Sequence, residues 1–416
     1  MVKGKKVNTK EVIEQYNKYV IGNYSRVPVL MVRGEGSYIW DAEGKRYLDM
    51  FPGWAVSGLG HCPKPVVEAI CRQAAELIHM DNTFYTVPQG QLAQMISERS
   101  FGGKCFFCNS GAEAVEAALK LARLCTPEEK YRYITTLGSF HGRTFGAVTA
   151  TGQPKYHQGF SPLVPGFSYV PFNDVASLEE AFDDEVAGVL IEPIQGEGGI
   201  NVASDEFLLK ASELCRQHGA VLILDEVQCG MGRTGKWFAY QHTPVEPDII
   251  TMAKSLGGGV AIGGICARSE VAAAMKPGTH ASTFGGNPLA AAAAVATIEM
   301  IDREKLLAKA AELGQYIMSQ LAEMKEKLDC ISQIRGRGLM IGIELDIPGA
   351  DLVKACLEKG LRINCTHETV LRFMPALTAT KEQIDQALDI LQKVLAERVP
   401  AVRPAAESSS HSGADQ

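Results

Sequence analysis

The chain has 416 residues, 46% hydrophobic and 21% charged, with a formal net charge of −7 and a pI near 5.8. That length suits a two-domain α/β protein, and an acidic balance without a basic cluster argues against nucleic acid or an anionic membrane as a partner. Eleven cysteines are scattered behind a start, MVKGKKVNTKEVIEQYNKYV, that holds Glu11 and Glu14 and no apolar core, which predicts free thiols in a cytoplasmic protein rather than a disulfide framework.

Residues 11 to 20 carry a helical pattern, and RGEGSYIWDAEGKRYLDMFPG reads as hairpin strands around the turn Asp41-Ala42-Glu43-Gly44. WAVSGLGHCPKPVVEAICRQAAELI follows, with Pro63 and Pro65 opening an amphipathic helix through Val66, Ile70 and Leu77. FFCNSGAEAVEAALKLAR predicts a strand, a turn at Asn109-Ser110-Gly111, and a strong helix from Ala112 to Arg123. The free N–H groups of that helix start, with the Ser110 hydroxyl, would cradle a phosphate; the plainer reading is a serine N-cap. Cys105 and Cys108 form a C-x-x-C, but an offset of three in a strand points them to opposite faces, so no metal site is predicted.

After the strand YRYITTL, a glycine-punctuated loop holds Phe140, His141 and Arg143. The aromatic ring suits stacking on a flat cofactor and the guanidinium suits a carboxylate, although both residue types also serve as packing. VAGVLIEPIQGEGG is a buried strand with a charged exit at Glu192, Gln195 and Glu197. VLILDEV and PDIITMAK repeat the pattern: each is an apolar, β-branched run that ends in chemistry, Asp225 in the first and Lys254 in the second. An amine at a buried strand end sheds its charge readily and forms a Schiff base with an aldehyde, and a carboxylate beside it holds a pyridine nitrogen protonated. Pyridoxal phosphate needs that pair. The alternative is a surface lysine with a strand-capping acid.

Between those strands lies a false lead. Gly230, Gly232 and Gly235 spell G-x-G-x-x-G, and Gly230 to Lys236 spells the start of a P-loop. Trp237 stands where a P-loop needs Ser or Thr, and WFAYQHTPVEP has no helical period, so neither nucleotide reading fits.

Ser282 and Thr283 in STFGGNPLA precede the alanine-rich run NPLAAAAAVATIEMI, which is shorter than the ~18 residues a bilayer needs and reads as a packed helix. A long amphipathic helix, EKLLAKAAELGQYIMSQLAEMKEKL, then leads to the short strands GLMIGIEL, LRINC and VLRFMPA and to a closing helix, KEQIDQALDILQKVLAERV. Residues 401–416 have the composition of a disordered tail. The expected fold is α/β: an N-terminal arm with a small-domain segment over 1–63, a large domain with a mostly parallel, doubly wound sheet over 64–300, and a small α+β domain over 301–400.

Together these motifs resemble the class III, fold type I pyridoxal-phosphate aminotransferases, from about residue 15 to 395. The resemblance implies that Lys254 carries the cofactor, Asp225 pairs with its ring nitrogen, and Gln228 reaches its hydroxyl. Val227 and Phe140 would sandwich the ring, with Glu226 among the cofactor-binding residues. Ser110, Gly111 and Ala112 would bind the phosphate, joined by Thr283 of a second subunit, so a homodimer is implied. Arg143 would hold the substrate carboxylate near Ser282, and Glu197 and Arg372 would form a gating pair. NSGAEAVEAALKLAR, FHGRTFGAVTATGQPKYHQGF and STFGGNPLA are most similar to the branch that uses N-acetylated ornithine with 2-oxoglutarate. Succinyl-ornithine, succinyl-diaminopimelate, ornithine and 4-aminobutyrate remain alternatives. Where ornithine-specific members carry a tyrosine, this chain has Trp54, which speaks against unmodified ornithine.

Overall fold

The computed structural model describes residues 8–398, so the tail expected over 401–416 lies outside the described residues. A seven-stranded sheet runs in the order Lys104–Cys108, Gly263–Ala267, Ile249–Met252, Val221–Asp225, Val186–Ile191, Arg132–Thr136, Phe167–Val170. Neighbours are parallel except at Gly263–Ala267, which is antiparallel to both strands beside it.

The apolar runs have the reason foreseen: Val186–Ile191, Val221–Asp225 and Ile249–Met252 are buried along their whole length. Alternation sends Leu222 and Leu224 into one core and Val221 and Ile223 into the other. Each leucine or isoleucine buried this way contributes about 1.5–3 kcal/mol. The helix Gly111–Cys125 covers one face through Ala114, Ala117, Ala118 and Ala122, small residues that let it lie close to the strands. Asp205–His218 and the alanine-rich Pro288–Arg303 pack into the core on the other face. Among the described residues no helix is long and apolar enough to cross a membrane.

A second sheet orders Ile331–Arg337, Met340–Leu345, Val370–Phe373 and Asn364–Thr366, all antiparallel. The N-terminal strands Met31–Glu35, Tyr38–Asp41 and Arg46–Asp49 form a third sheet, closed by Leu361–Arg362 alongside Arg46–Asp49. LRINC is therefore not one strand: Leu361–Arg362 pairs with the N-terminal segment and Asn364–Thr366 with Val370–Phe373. The hairpin turn closes with the Gly44 N–H donating to the Asp41 carbonyl at 3.1 Å.

One further element departs from the sequence reading, and two were not named in it. The glycine-punctuated loop contains a short helix, Phe145–Ala150. Val87–Arg99 is a helix of weak amphipathicity, and Phe167–Val170 is an edge strand entered from a proline-rich stretch.

Candidate active site

Parallel pairing brings Asp225 opposite Thr251, and Lys254 leaves the same strand end with a φ of +42°. Both residues line a cavity of about 370 Å³, together with Gly111, Phe140, Val227 and Gln228. The site therefore sits at the carboxyl ends of the central strands, where open α/β sheets place their ligands.

Every oxygen of Asp225 is engaged. Oδ1 accepts from Thr251 Oγ1 at 2.8 Å and from the Val227 N–H at 3.1 Å, and Oδ2 lies 2.7 Å from His141 Nδ1. His141 is held in turn, its Nε2 lying 3.2 Å from Thr135 Oγ1. The carboxylate is thus fixed in orientation by its protein neighbours. Burial pushes the Lys254 ammonium below its usual range, against the opposing pull of Glu197, Glu192 and Asp225. Glu192 bridges two loops by accepting the Phe140 N–H at 2.9 Å and the Gly196 N–H at 3.1 Å, and burial raises its carboxyl to about 7.

Ser110 is the N-cap of Gly111–Cys125, its Oγ accepting the Glu113 N–H at 3.2 Å, so the plainer reading of its hydroxyl holds. The helix start still lies in the cavity wall at Gly111 and Ala112. A Cβ on Gly111 would stand 2.9 Å from Val227 Cγ1, so only glycine leaves backbone open there. The buried Gln228 Oε1 has no hydrogen-bond partner among the described residues, although Gln228 lines the cavity. Free backbone donors at one end, a buried acid at strand end, a desolvated lysine and an unmatched amide oxygen fit the phosphate, ring nitrogen, aldehyde and ring hydroxyl of pyridoxal phosphate.

Glu197 lines the cavity and grips Arg372 through two bonds of 2.6 and 3.1 Å. Burial pushes the Glu197 carboxyl up most strongly of any single influence, but the charge and hydrogen bonds of Arg372, joined by Lys254 and Gln228, together outweigh it and hold the group below its ordinary value. Arg143 lies outside the lining, exposed, with its guanidinium 4.2 Å from the Tyr156 ring centroid and 5.6 Å from that of Phe140. Ser282 accepts from Asn109 Nδ2 at 3.3 Å, while Thr283 is exposed. Glu226 turns away from the cavity: its carboxylate accepts the N–H groups of Ala239 and Tyr240, both at 2.8 Å, which corrects its grouping with the cofactor contacts. Trp54 is 52% exposed at φ +56°, and Val56 from its segment lines the cavity.

Two residues that sequence reasoning did not single out matter to this arrangement, Thr251 and Asn364 beside Arg372, and two that it named matter in roles it did not assign, Glu192 as a bridge and His141 as the partner of Asp225. A polar residue facing a strand-end acid across a parallel register was the available signal for Thr251. Nothing local announced Asn364, which depends on strand pairing.

The chain belongs to the class-III aminotransferase family, whose model matches residues 19–395, and it is a pyridoxal-phosphate-dependent aminotransferase of that fold. It is 51% identical over 385 residues to the acetylornithine aminotransferase of Caldanaerobacter subterraneus subsp. tengcongensis, covering 91% of this chain and 98% of the relative. The acetylornithine aminotransferase of Methanocaldococcus jannaschii is 49% identical over 92% of this chain and 98% of its own length. Among solved structures, the ornithine aminotransferase of Toxoplasma gondii ME49 superposes with a TM-score of 0.89 at 37% identity, covering 95% of this chain and 96% of that one. The acetylornithine aminotransferase of Elizabethkingia anophelis gives 0.84 at 35% identity, over 94% of this chain and 100% of that one.

Proposed function

We propose that this enzyme moves the δ-amino group of N2-acetyl-L-ornithine to 2-oxoglutarate, a step of arginine biosynthesis, as a cytoplasmic homodimer. The observation that carries the chemistry is the shared cavity in which desolvated Lys254 meets Asp225 backed by His141. Support for the donor comes from the relatives' names at 49–51% identity and from Trp54, at the position where ornithine-specific members carry tyrosine.

When bound, pyridoxal phosphate supplies an aldehyde for amine exchange and a ring that withdraws electrons. Lys254 would hold that aldehyde through its amine, and Lys254 Nζ, when free, is the base placed to move the proton at the amine-bearing carbon of the substrate; a positioned base of this kind contributes ~10²–10⁴-fold. Asp225 would keep the ring nitrogen protonated, and His141 and Thr251 fix its carboxylate. Gly111 and Ala112 would offer N–H groups to the phosphate, with Thr283 of the partner subunit completing that site, while Phe140 and Val227 would flank the ring and Gln228 would meet its hydroxyl. Arg143, with Ser282 nearby, takes the carboxylate far from the reacting amine. Glu197 covers Arg372 for acetyl-ornithine and swings away so that Arg372 can take the second carboxylate of glutamate.

Borohydride treatment of the holoenzyme is expected to fix the cofactor to the peptide containing Lys254, and label on another lysine would overturn the assignment. A coupled assay with 2-oxoglutarate across acetyl-ornithine, succinyl-ornithine, succinyl-diaminopimelate, ornithine and 4-aminobutyrate should give acetyl-ornithine the highest kcat/KM.

A further inference from the structure

Arg372 is 1% exposed, and all five of its N–H donors are matched. Glu197 takes one from each terminal nitrogen, Nη1 at 2.6 Å and Nη2 at 3.1 Å. Asn364 Oδ1 takes two, from Nε at 2.8 Å and Nη2 at 2.6 Å, and the Gly196 carbonyl takes the last, from Nη1 at 3.1 Å. The Phe51 ring lies under the guanidinium, 4.6 Å from its carbon. The donors therefore divide into a pair presented to a carboxylate and three spoken for by groups of no net charge.

Asn364 and Arg372 are direct register partners across antiparallel strands, so their side chains share a face. Two residues along the same strand, Thr366 donates its hydroxyl to the Glu197 carbonyl at 2.8 Å. One short strand, Asn364–Thr366, thus grips the arginine at one position and the backbone of its carboxylate partner at the next residue on that face.

We propose that Asn364 is a positioning residue for substrate choice: it holds Arg372 aimed at the vacated carboxylate position while Glu197 is away. This rests on the exchange of Glu197 for a substrate carboxylate put forward above. With Glu197 gone, a buried guanidinium lacking Asn364 would turn towards any remaining acceptor and lose its bidentate presentation. The neutrality of the amide matters equally. An aspartate there would cancel the charge that a dicarboxylate is recruited to meet, whereas asparagine orients Arg372 and leaves that charge available.

The test uses holoenzyme with single-turnover kinetics for each half-reaction, together with calorimetric titration of glutarate, a dicarboxylate with no amine or oxo group to react. Asn364→Ala is expected to weaken glutarate binding and raise the KM for glutamate by about ten-fold, with a much smaller change in kcat and in the KM for acetyl-ornithine. Asn364→Asp retains volume and acceptor and is expected to weaken glutarate at least as much, which keeps the idea testable should the alanine variant misfold. Unchanged glutarate affinity in either folded variant, or equal KM losses for both amines, overturns the proposal. Glu197→Ala separates this outcome from the underlying reading: it should favour glutamate and harm acetyl-ornithine. Equal loss in both halves removes the exchange and this inference with it, while a clear split for Glu197→Ala with silent Asn364 variants removes only the inference.

Discussion

Asp225 and Glu226 are adjacent acids with opposite fates. Asp225 ends its strand facing the cavity, bonded to His141 and Thr251; Glu226 points the other way and ties down the loop at Ala239 and Tyr240. Burial lifts the Glu226 carboxyl from its ordinary 4.5 to about 7, although the two backbone N–H groups oppose the rise. Between those values the folded protein binds more protons here than the unfolded chain, so this group's contribution to stability falls as pH rises through that window. Glu226→Gln lacks the titration. In urea unfolding of the apoenzyme, the parent should lose about 3 kcal/mol relative to the variant between pH 4.5 and 7.5. A pH-independent difference would mean that Glu226 does not change charge in that range.

At the scale of elements, the strands that were legible are those whose burial leaves the sequence no choice. VAGVLI, VLILD and IITM lie between two cores, and only apolar runs satisfy both faces. GGICA was not legible, because close approach decides its residues rather than a face pattern. A Cβ on Gly263 would stand 2.4 Å from the Ser110 carbonyl oxygen, and one on Gly264 would stand 2.7 Å from that of Phe106. Glycines that read as loop are thus the condition for inserting an antiparallel strand against the turn that starts Gly111–Cys125. Gly263→Ala must displace that turn, since backbone cannot swing aside as a side chain can. Overpacking of this kind costs about 1–3 kcal/mol, so cofactor affinity should fall about 5- to 150-fold in a fluorescence titration of the apoenzyme. Affinity within two-fold of the parent would show that the helix start does not hold the phosphate.

For the whole molecule, what could be read locally was the order of chemistry along the chain; what could not was assembly over distance. Lys254 and Asp225 were legible because adjacent parallel strands end together. The surroundings of Arg372 were only partly so, since Glu197, Asn364 and Phe51 reach it from three separate segments. Thr283 poses the same problem beyond one chain. It is exposed within a segment that carries Phe284 at 59% exposure, and Asn82 anchors that segment by donating to the Gly285 carbonyl at 2.9 Å. Nearby Ile78, Phe84 and Tyr85 are also exposed, an apolar surface suited to a second copy of the chain. If Thr283 completes the partner's phosphate site, each site draws Lys254 from one subunit and Thr283 from the other. Lys254→Ala and Thr283→Arg homodimers should then each be inactive. In a mixed dimer, one site combines both lesions and the other has neither. Random exchange of equal amounts makes half the dimers hybrid, so about a quarter of parental activity should return. Complementation at that level, alongside mass-spectrometric proof of exchange, is the expected result; exchange without recovery would place each site within a single subunit.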